Sequence, residues 1–360
     1  MRRLRVASRN FDYDVVIGRG AWRALRQLPS SSSLFILTER GLWRRWGKPF
    51  LRQTGLRRAR LLFVPAGERS KALGMVERIS AQMLERGADR HSVLVAFGGG
   101  MVGDLGGFIA STYMRGIACV QAPTTVVAQV DSAIGGKTAV NVRAMKNLIG
   151  TFYPPRLVVA DPSVLASLDE RAFRSGFYEV VKHAILDGPA FFRQLETGMA
   201  SLRPGQTAKL EPVLARAAQV KVDVVSRDER EAGLRRVLNL GHTFGHALEE
   251  ATAYRRFLHG EAVAWGLLAA TRLAELSDLL KPPEGERIAR LVRAVGPLPP
   301  IRDLALEEVL KLLPRDKKAI GGRIHWVLTE RIGKVRIIDT VSPRLVAAAL
   351  QEVQRGGWHE

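Results

Sequence analysis

Cysteine is nearly absent from this 360-residue chain: Cys119 stands alone, in the apolar run Ile117-Ala118-Cys119-Val120. One thiol cannot close an internal disulfide, and in an apolar run its default role is packing, which argues against thiol redox chemistry. No apolar run reaches the ~20 residues that a membrane-spanning helix requires. The basic start Met1-Arg2-Arg3-Leu4-Arg5 leads into Asn10, Asp12 and Asp14 instead of a signal-peptide core, so the expected location is the cytoplasm. Acidic residues are scarce too, with 35 Asp and Glu against 55 Lys and Arg, a formal charge of +20. Such an excess invites a nucleic-acid reading. Yet the fifteen basic residues of positions 1–60 never run longer than two and have no interleaved aromatic platform, which argues against a phosphate-tracking groove. Lysine is the last scarcity, 12 against 43 arginines. Seven of the twelve (Lys71, Lys137, Lys146, Lys182, Lys221, Lys317 and Lys318) fall in the motif-like segments below. A compact ammonium suits phosphate binding and proton transfer in ways a guanidinium fork does not, so these positions require Lys.

The apolar fraction of 46% and the length suit two domains with sizeable cores. Short apolar runs (Val15 to Ile17, Leu34 to Leu37, Leu61 to Val64, Val93 to Phe97, Cys119 to Ala122, Leu157 to Ala160) alternate with helical patterns, which predicts an α/β domain with a mainly parallel sheet. From about Glu170 the helical period dominates: Phe173 to Leu186, Leu210 to Val225, Leu234 to Ala251, Glu261 to Leu279 and Arg287 to Val295. A β-like pair follows at Arg323 to Thr329 and Lys334 to Ile338. The expected architecture is an α/β nucleotide-binding domain over 1–170 and a mainly α-helical metal-binding domain over 171–360. Ser30 to Ser33 reads as a surface loop.

Three strand ends carry polar groups on what should be one edge of the sheet, where ligands bind in parallel sheets. After Val93 to Phe97 comes Gly98-Gly99-Gly100-Met101-Val102-Gly103-Asp104, whose glycines let backbone amides approach a pyrophosphate at a helix N-terminus. It does not follow the first strand and lacks an acidic residue about twenty positions on, so it departs from the standard dinucleotide fingerprint. Pro65-Ala66-Gly67-Glu68-Arg69-Ser70-Lys71 places a carboxylate and an ammonium where a ribose diol and a phosphate could be held, and Pro123-Thr124-Thr125 adds hydroxyls. Asp131-Ser132-Ala133-Ile134-Gly135-Gly136-Lys137-Thr138-Ala139-Val140-Asn141 and Lys146-Asn147-Leu148-Ile149-Gly150 read as an anion cradle, which Arg115 could join.

The helical half holds the densest signal. His242 and His246 in Asn239-Leu240-Gly241-His242-Thr243-Phe244-Gly245-His246 lie one turn apart on one helix face, and His259 opens the next apolar pattern in His259-Gly260-Glu261. Three imidazoles on neighbouring helices, with glycines allowing close approach, predict a metal or catalytic centre. Glu179, with Lys182 at i,i+3 on an otherwise apolar helix, could add the carboxylate; two His and one Glu leave positions open for substrate hydroxyls. Lys221, Glu231, Arg235 and Asn239 add polar groups on the approach.

Taken together, Gly-Gly-Gly-x-x-Gly-Asp, Tyr-Met-Arg-Gly at Tyr113 to Gly116, Pro-Thr-Thr, Gly-Gly-Lys-Thr, Lys-Asn-Leu-Ile-Gly, Asn-x-Gly-His-Thr-x-Gly-His and His-Gly-Glu closely resemble the 3-dehydroquinate synthases of the sugar phosphate cyclase family, from about Gly67 to Lys318. The resemblance implies NAD on the N-terminal domain and a divalent metal, zinc or cobalt, between it and a helical C-terminal domain. It implies Glu179, His242 and His259 as ligands, with His246 a catalytic neighbour. Glu68, Lys71, Gly99, Gly100, Met101, Gly103, Asp104, Thr124, Thr125, Asp131, Lys137 and Lys146 become the NAD-binding set. Lys137, Lys146, Asn147 and Arg115 would hold a phosphate, and Lys182, Lys221, Arg235, Asn239 and His246 a carboxylate and hydroxyls. The implied reaction turns 3-deoxy-D-arabino-heptulosonate 7-phosphate into 3-dehydroquinate and phosphate: NAD takes a hydride, phosphate is eliminated, the hydride returns, and an intramolecular aldol closes the ring. Tyr178, His183 and Tyr153-Pro154-Pro155 depart from the family's commonest wording at neighbouring positions only. A small sugar-acid phosphate as substrate and a homodimer without membrane or nucleic-acid partners are expected. Competing readings are a cyclase acting on a sugar phosphate without a carboxylate, and an NAD-dependent glycerol- or alcohol-type metal dehydrogenase.

Overall fold

The apolar runs of the first half become a seven-stranded sheet. The structure is a computed structural model that describes residues 1–29, 33–143, 145–313, 324–356 and 358. Its first elements are β1 (Arg2–Ala7), β2 (Asp12–Ile17), β3 (Leu34–Glu39), α1 (Arg40–Thr54), β4 (Arg60–Val64), α2 (Leu73–Glu85), β5 (Val93–Gly98), α3 (Gly100–Thr112), β6 (Ala118–Pro123), β7 (Lys137–Val142), β8 (Met145–Phe152) and β9 (Leu157–Ala160). The sheet order is β1-β2-β9-β6-β5-β3-β4, with β1–β2 antiparallel and the other pairs parallel. All six residues of β5 are buried, as a central strand covered on both faces requires. Because β4, β5 and β6 run the same way, the loops from Pro65, Gly98 and Pro123 leave one edge of the sheet.

Three strands escape the sequence reading. β1 looks like basic tail, but Leu4 and Val6 point inward while Arg3 and Arg5 face Asp14 at 3.3 and 2.9 Å, so part of the basic N-terminus is the charged face of an edge strand. β7 and β8 form a separate antiparallel hairpin in the segment expected to be an anion cradle. It packs on α3, where a Cβ on Gly107 would fall 2.4 Å from the Thr138 Cγ2. Gly103 and Gly106 serve the same close packing, against Gln121 and Ala96.

The second half contributes α4 (Glu170–Asp187), α5 (Pro189–Gly198), α6 (Thr207–Arg227), α7 (His242–Ala251), α8 (His259–Leu276), α9 (Pro282–Ala294), α10 (Leu306–Leu312), the hairpin β10 (Trp326–Arg331) and β11 (Lys334–Ile338), and α11 (Pro343–Arg355). Two compact units result, one of Met1–Leu168 with Pro204–Arg230, the other of Asp169–Arg203 with Glu231–Glu360. The division at 170 is thus adjusted: α6, helical by period, packs against β1 and carries Lys221 into the α/β unit. The single helix expected over Leu234 to Ala251 is instead a 3-10 turn (Leu234–Asn239) followed by α7, broken where Gly241 takes φ 79°. Ser30 to Ser32, Lys317, Lys318 and Arg323 lie outside the described residues.

In the helical unit α8 packs on α4 and α7 with almost no space to spare. A Cβ on Gly260 would lie 1.7 Å from the Ser175 carbonyl oxygen, and one on Gly266 1.8 Å from that of Gly241. Gly266→Ala is therefore expected to destabilise the unit by about 1–3 kcal/mol or more through overpacking. Gly74→Ala, in α2 with open space around it, should be neutral or stabilising by about 0.5–1 kcal/mol. Thermal midpoints of the two variants beside the parent check this; equal midpoints would show that α8 can shift to make room.

Candidate active site

Three helices of the second unit deliver Glu179 (α4), His242 (α7) and His259 (α8) to one point. Their ligand-type atoms all lie within 4.8 Å of one another. Glu179 is completely buried, and its Oε1 stands 3.6 Å from the His242 Nε2 and 3.5 Å from the His259 Nε2. Each imidazole is held from behind. The His242 Nδ1 lies 3.2 Å from the Leu240 carbonyl, and the His259 Nδ1 3.3 Å from Oε2 of the buried Glu249. An acceptor on Nδ1 with Nε2 turned toward a shared point is how metal-binding histidines are oriented. Burial disfavours a charged His259, but the Glu249 and Glu179 carboxylates outweigh it and raise the ring to about 10. The local field thus favours a cation between these groups, and two imidazoles with one carboxylate form a donor set suited to a divalent ion with open positions.

The backbone explains the motifs. Leu240 (φ −52°, ψ 123°) and Gly241 (φ 79°, ψ −16°) have the angles of a type II turn, whose third position demands glycine. That turn sets His242 at the first position of α7. In His259-Gly260-Glu261 the glycine allows contact with α4, and Glu261 caps α8 by accepting from the Leu258 amide at 2.8 Å while gripping Arg171 with both oxygens.

Around this centre, Lys182 is buried and ion-paired with Glu179. Arg235 is buried on the 3-10 turn that packs against α4, and Asn239 donates to Glu231 at 2.8 Å. The His246 ring centroid lies 5.5 Å from that of His242 and 6.2 Å from that of His259, and His246 forms a second possible ligand group with Glu249 and His259.

In the α/β unit the loops after β5 and β6 abut: Cβ atoms added to Gly99 and Gly100 would lie 3.0 Å from the Thr125 Cγ2 and 3.2 Å from the Ser132 Oγ. The Thr124 amide donates to the Gly98 carbonyl at 2.9 Å. Buried Lys71 contacts Asp104 and Asn147 and lies 3.8 Å from Glu68, which accepts from Asn141 at 2.9 Å. Lys71 is thus a junction between the loop after β4, α3 and the β7–β8 hairpin. Burial raises the Asp104 carboxyl, against the pull of Lys71. Lys221 pairs with Asp131. Lys137 and Lys146 do not stand side by side: Lys137 pairs with Phe152 at the open end of the hairpin and Lys146 follows the turn, roughly 13 Å away at ~3.3 Å per residue. Arg115 is exposed in a turn at φ 67°. Met101 and Gly103 lie in the first turns of α3.

With this geometry in view, comparison places the chain. Residues 61–175 match the family model described as 3-dehydroquinate synthase N-terminal, and residues 176–319 that of 3-dehydroquinate synthase C-terminal. The chain belongs to the 3-dehydroquinate synthase family. It is 40% identical to a 3-dehydroquinate synthase of Solibacter usitatus, over 94% of this chain and 96% of that one. It is 41% identical to one of Koribacter versatilis, over 98% of each. The solved 2-epi-5-epi-valiolone synthase of Streptomyces hygroscopicus, with NAD+ and Zn2+ bound, is similar at a TM-score of 0.86 and 29% identity, covering 97% of this chain and 98% of that one. Family membership settles the reading of the motifs as a cyclase pattern and the α/β-plus-helical architecture.

Glu249 and Arg171 escaped the sequence reading. Glu249 had a signal, since it lies seven residues after His242 and three after His246 and so shares their helix face. Glu249→Gln keeps the shape but removes the charge behind His259. Zinc affinity, measured by competition with a chromophoric chelator, should fall about 10- to 100-fold; parental affinity would show that His259 is oriented by other contacts.

Proposed function

We propose that this protein converts 3-deoxy-D-arabino-heptulosonate 7-phosphate to 3-dehydroquinate and phosphate, a phosphate-eliminating lyase step of the shikimate pathway, acting as a cytoplasmic homodimer. The observation that carries the reading is the Glu179, His242 and His259 convergence beside Lys182, in a chain matched almost end to end by the family. When bound, NAD supplies a reversible hydride acceptor and a divalent ion, zinc or cobalt, supplies a Lewis acid. Glu179, His242 and His259 hold the ion. Glu68, the Gly98 to Asp104 turn, Thr124, Thr125, Asp131, Lys137 and Lys146 bind NAD, with Lys71 bracing that cradle. The substrate phosphate falls to Lys137, Lys146, Asn147 and Arg115, whose charge favours the departing dianion. Lys182, Lys221, Arg235, Asn239 and His246 hold the carboxylate and ring hydroxyls and keep the reacting carbon in place. Charge-assisted contacts of this kind in a dry site are worth about 2–4 kcal/mol each at the transition state.

Incubation with the heptulosonate phosphate, zinc and catalytic NAD should release phosphate and dehydroquinate with no net NADH absorbance. Stoichiometric NADH would move the protein to the dehydrogenase class. Two variants separate ligand from neighbour. His259→Ala should lose metal and turnover together, because two ligands hold zinc poorly. His246→Ala should keep its metal and lose turnover; elemental analysis finding it metal-free would reassign His246 as a ligand.

A further inference from the structure

The α/β unit contains a polar cavity that the proposed reaction does not use. Its volume is about 470 Å³, and Arg19, Gly20, Arg23, Gln53 and Ser163 line it. Arg19 and Gly20 follow β2, Ser163 follows the neighbouring strand β9, and Gln53 lies in the last turn of α1. Gly20 takes φ 85°, and the Arg23 side chain folds back over the turn, its Nε 3.8 Å from where a Cβ on Gly20 would be.

The nearby carboxylates are already engaged. Both oxygens of the fully buried Asp161 are taken, one by the Gly20 amide at 2.8 Å, the other by the Ser163 amide and hydroxyl at 3.0 and 2.7 Å. Glu211 accepts from the Arg19 amide at 2.9 Å and pairs with the chain's terminal ammonium. Among the described residues, neither the Arg19 nor the Arg23 guanidinium has an ion-pair or hydrogen-bond partner. The Gln53 Oε1 is buried without a donor, while the Gln53 main-chain carbonyl accepts from Arg26 at 2.7 Å.

Two guanidinium forks without carboxylates suit a dianion, since their geometry matches phosphate or carboxylate oxygens. A buried acceptor without a donor is costly, and a turn of the Gln53 side chain toward the cavity would let its Oε1 accept from a hydroxyl on the same ligand. We propose that this cavity binds a small hydroxylated dianion, either a phosphate monoester or a hydroxy-dicarboxylate. The site would be separate from the residues assigned to turnover.

Calorimetric titration of the zinc- and NAD-loaded protein with glycerol 3-phosphate, malate and methyl phosphate tests this. Arg19→Gln/Arg23→Gln should weaken binding of the preferred hydroxylated anion by about tenfold or more and leave turnover at the parental level. The tighter of glycerol 3-phosphate and malate identifies the source of the dianion. Should the double variant fail to fold, Gln53→Leu serves alone: it should erase the preference for glycerol 3-phosphate over methyl phosphate. Unchanged binding of all three probes in the variants would overturn the proposal, and so would a loss of turnover parallel to the loss of binding.

Discussion

Glu179 is wholly buried, and the helical unit is arranged around that fact. A carboxylate removed from water costs several kcal/mol unless cations and donors replace its hydration. Lys182, one turn along the same helix, pairs with it, and the Nε2 atoms of His242 and His259 stand at 3.6 and 3.5 Å. Side chains as short as these can meet only if the helices carrying them nearly touch. The glycine contacts of Gly260 on α4 and of Gly266 against the Gly241 carbonyl make that approach possible. Packing and chemistry are therefore one constraint here: the small residues of the helix contacts fix where the ligand atoms stand.

The same logic accounts for the use of lysine in a chain so rich in arginine. Lys71, Lys182 and Lys221 are buried, and each faces a carboxylate, of Asp104, Glu179 and Asp131 respectively. A compact ammonium fits such a closed pocket, where a planar guanidinium with five donors would leave some of them unsatisfied. Several arginines instead serve exposed or semi-exposed roles, as at Arg3 and Arg5 on the edge strand and at Arg171, which reaches from α4 to Glu261 at the start of α8, whereas Arg235 is buried. The net charge is thus partly structural on β1 and needs no nucleic acid to explain it there.

Elements with a clean period were legible: the six apolar strand runs, α4, α8 and α9 follow from alternation or from the 3.6-residue repeat. What hid β1 was its composition, since three arginines in six residues read as charge before they read as an edge strand. The β7–β8 hairpin was hidden by Gly, Asn and Lys, which suit a loop equally well, and its pairing sets Lys137 and Lys146 of the expected anion cradle at opposite ends. Sequence also has no means of telling which sheet or helix an amphipathic segment such as α6 covers. Motif spacing found the ligand-type residues, whereas Glu249, acting through His259, resembles any acidic residue on a helix.

The choice between His242 and His246 shows where spacing runs out. One turn apart on one face, the two imidazoles are equivalent to any periodicity argument. The difference arises in the backbone. The type II turn at Leu240 and Gly241 sets His242 at the head of α7 and leaves the Leu240 carbonyl within reach of its Nδ1. Its Nε2 is thereby committed toward Glu179. His246, deeper in the helix, has no such turn before it, because its preceding carbonyls are taken up by the helix. A glycine directly ahead of its target thus turns one of two equivalent histidines toward the buried carboxylate, so replacing Gly241 would disturb the geometry at Glu179 without touching any of the three converging side chains.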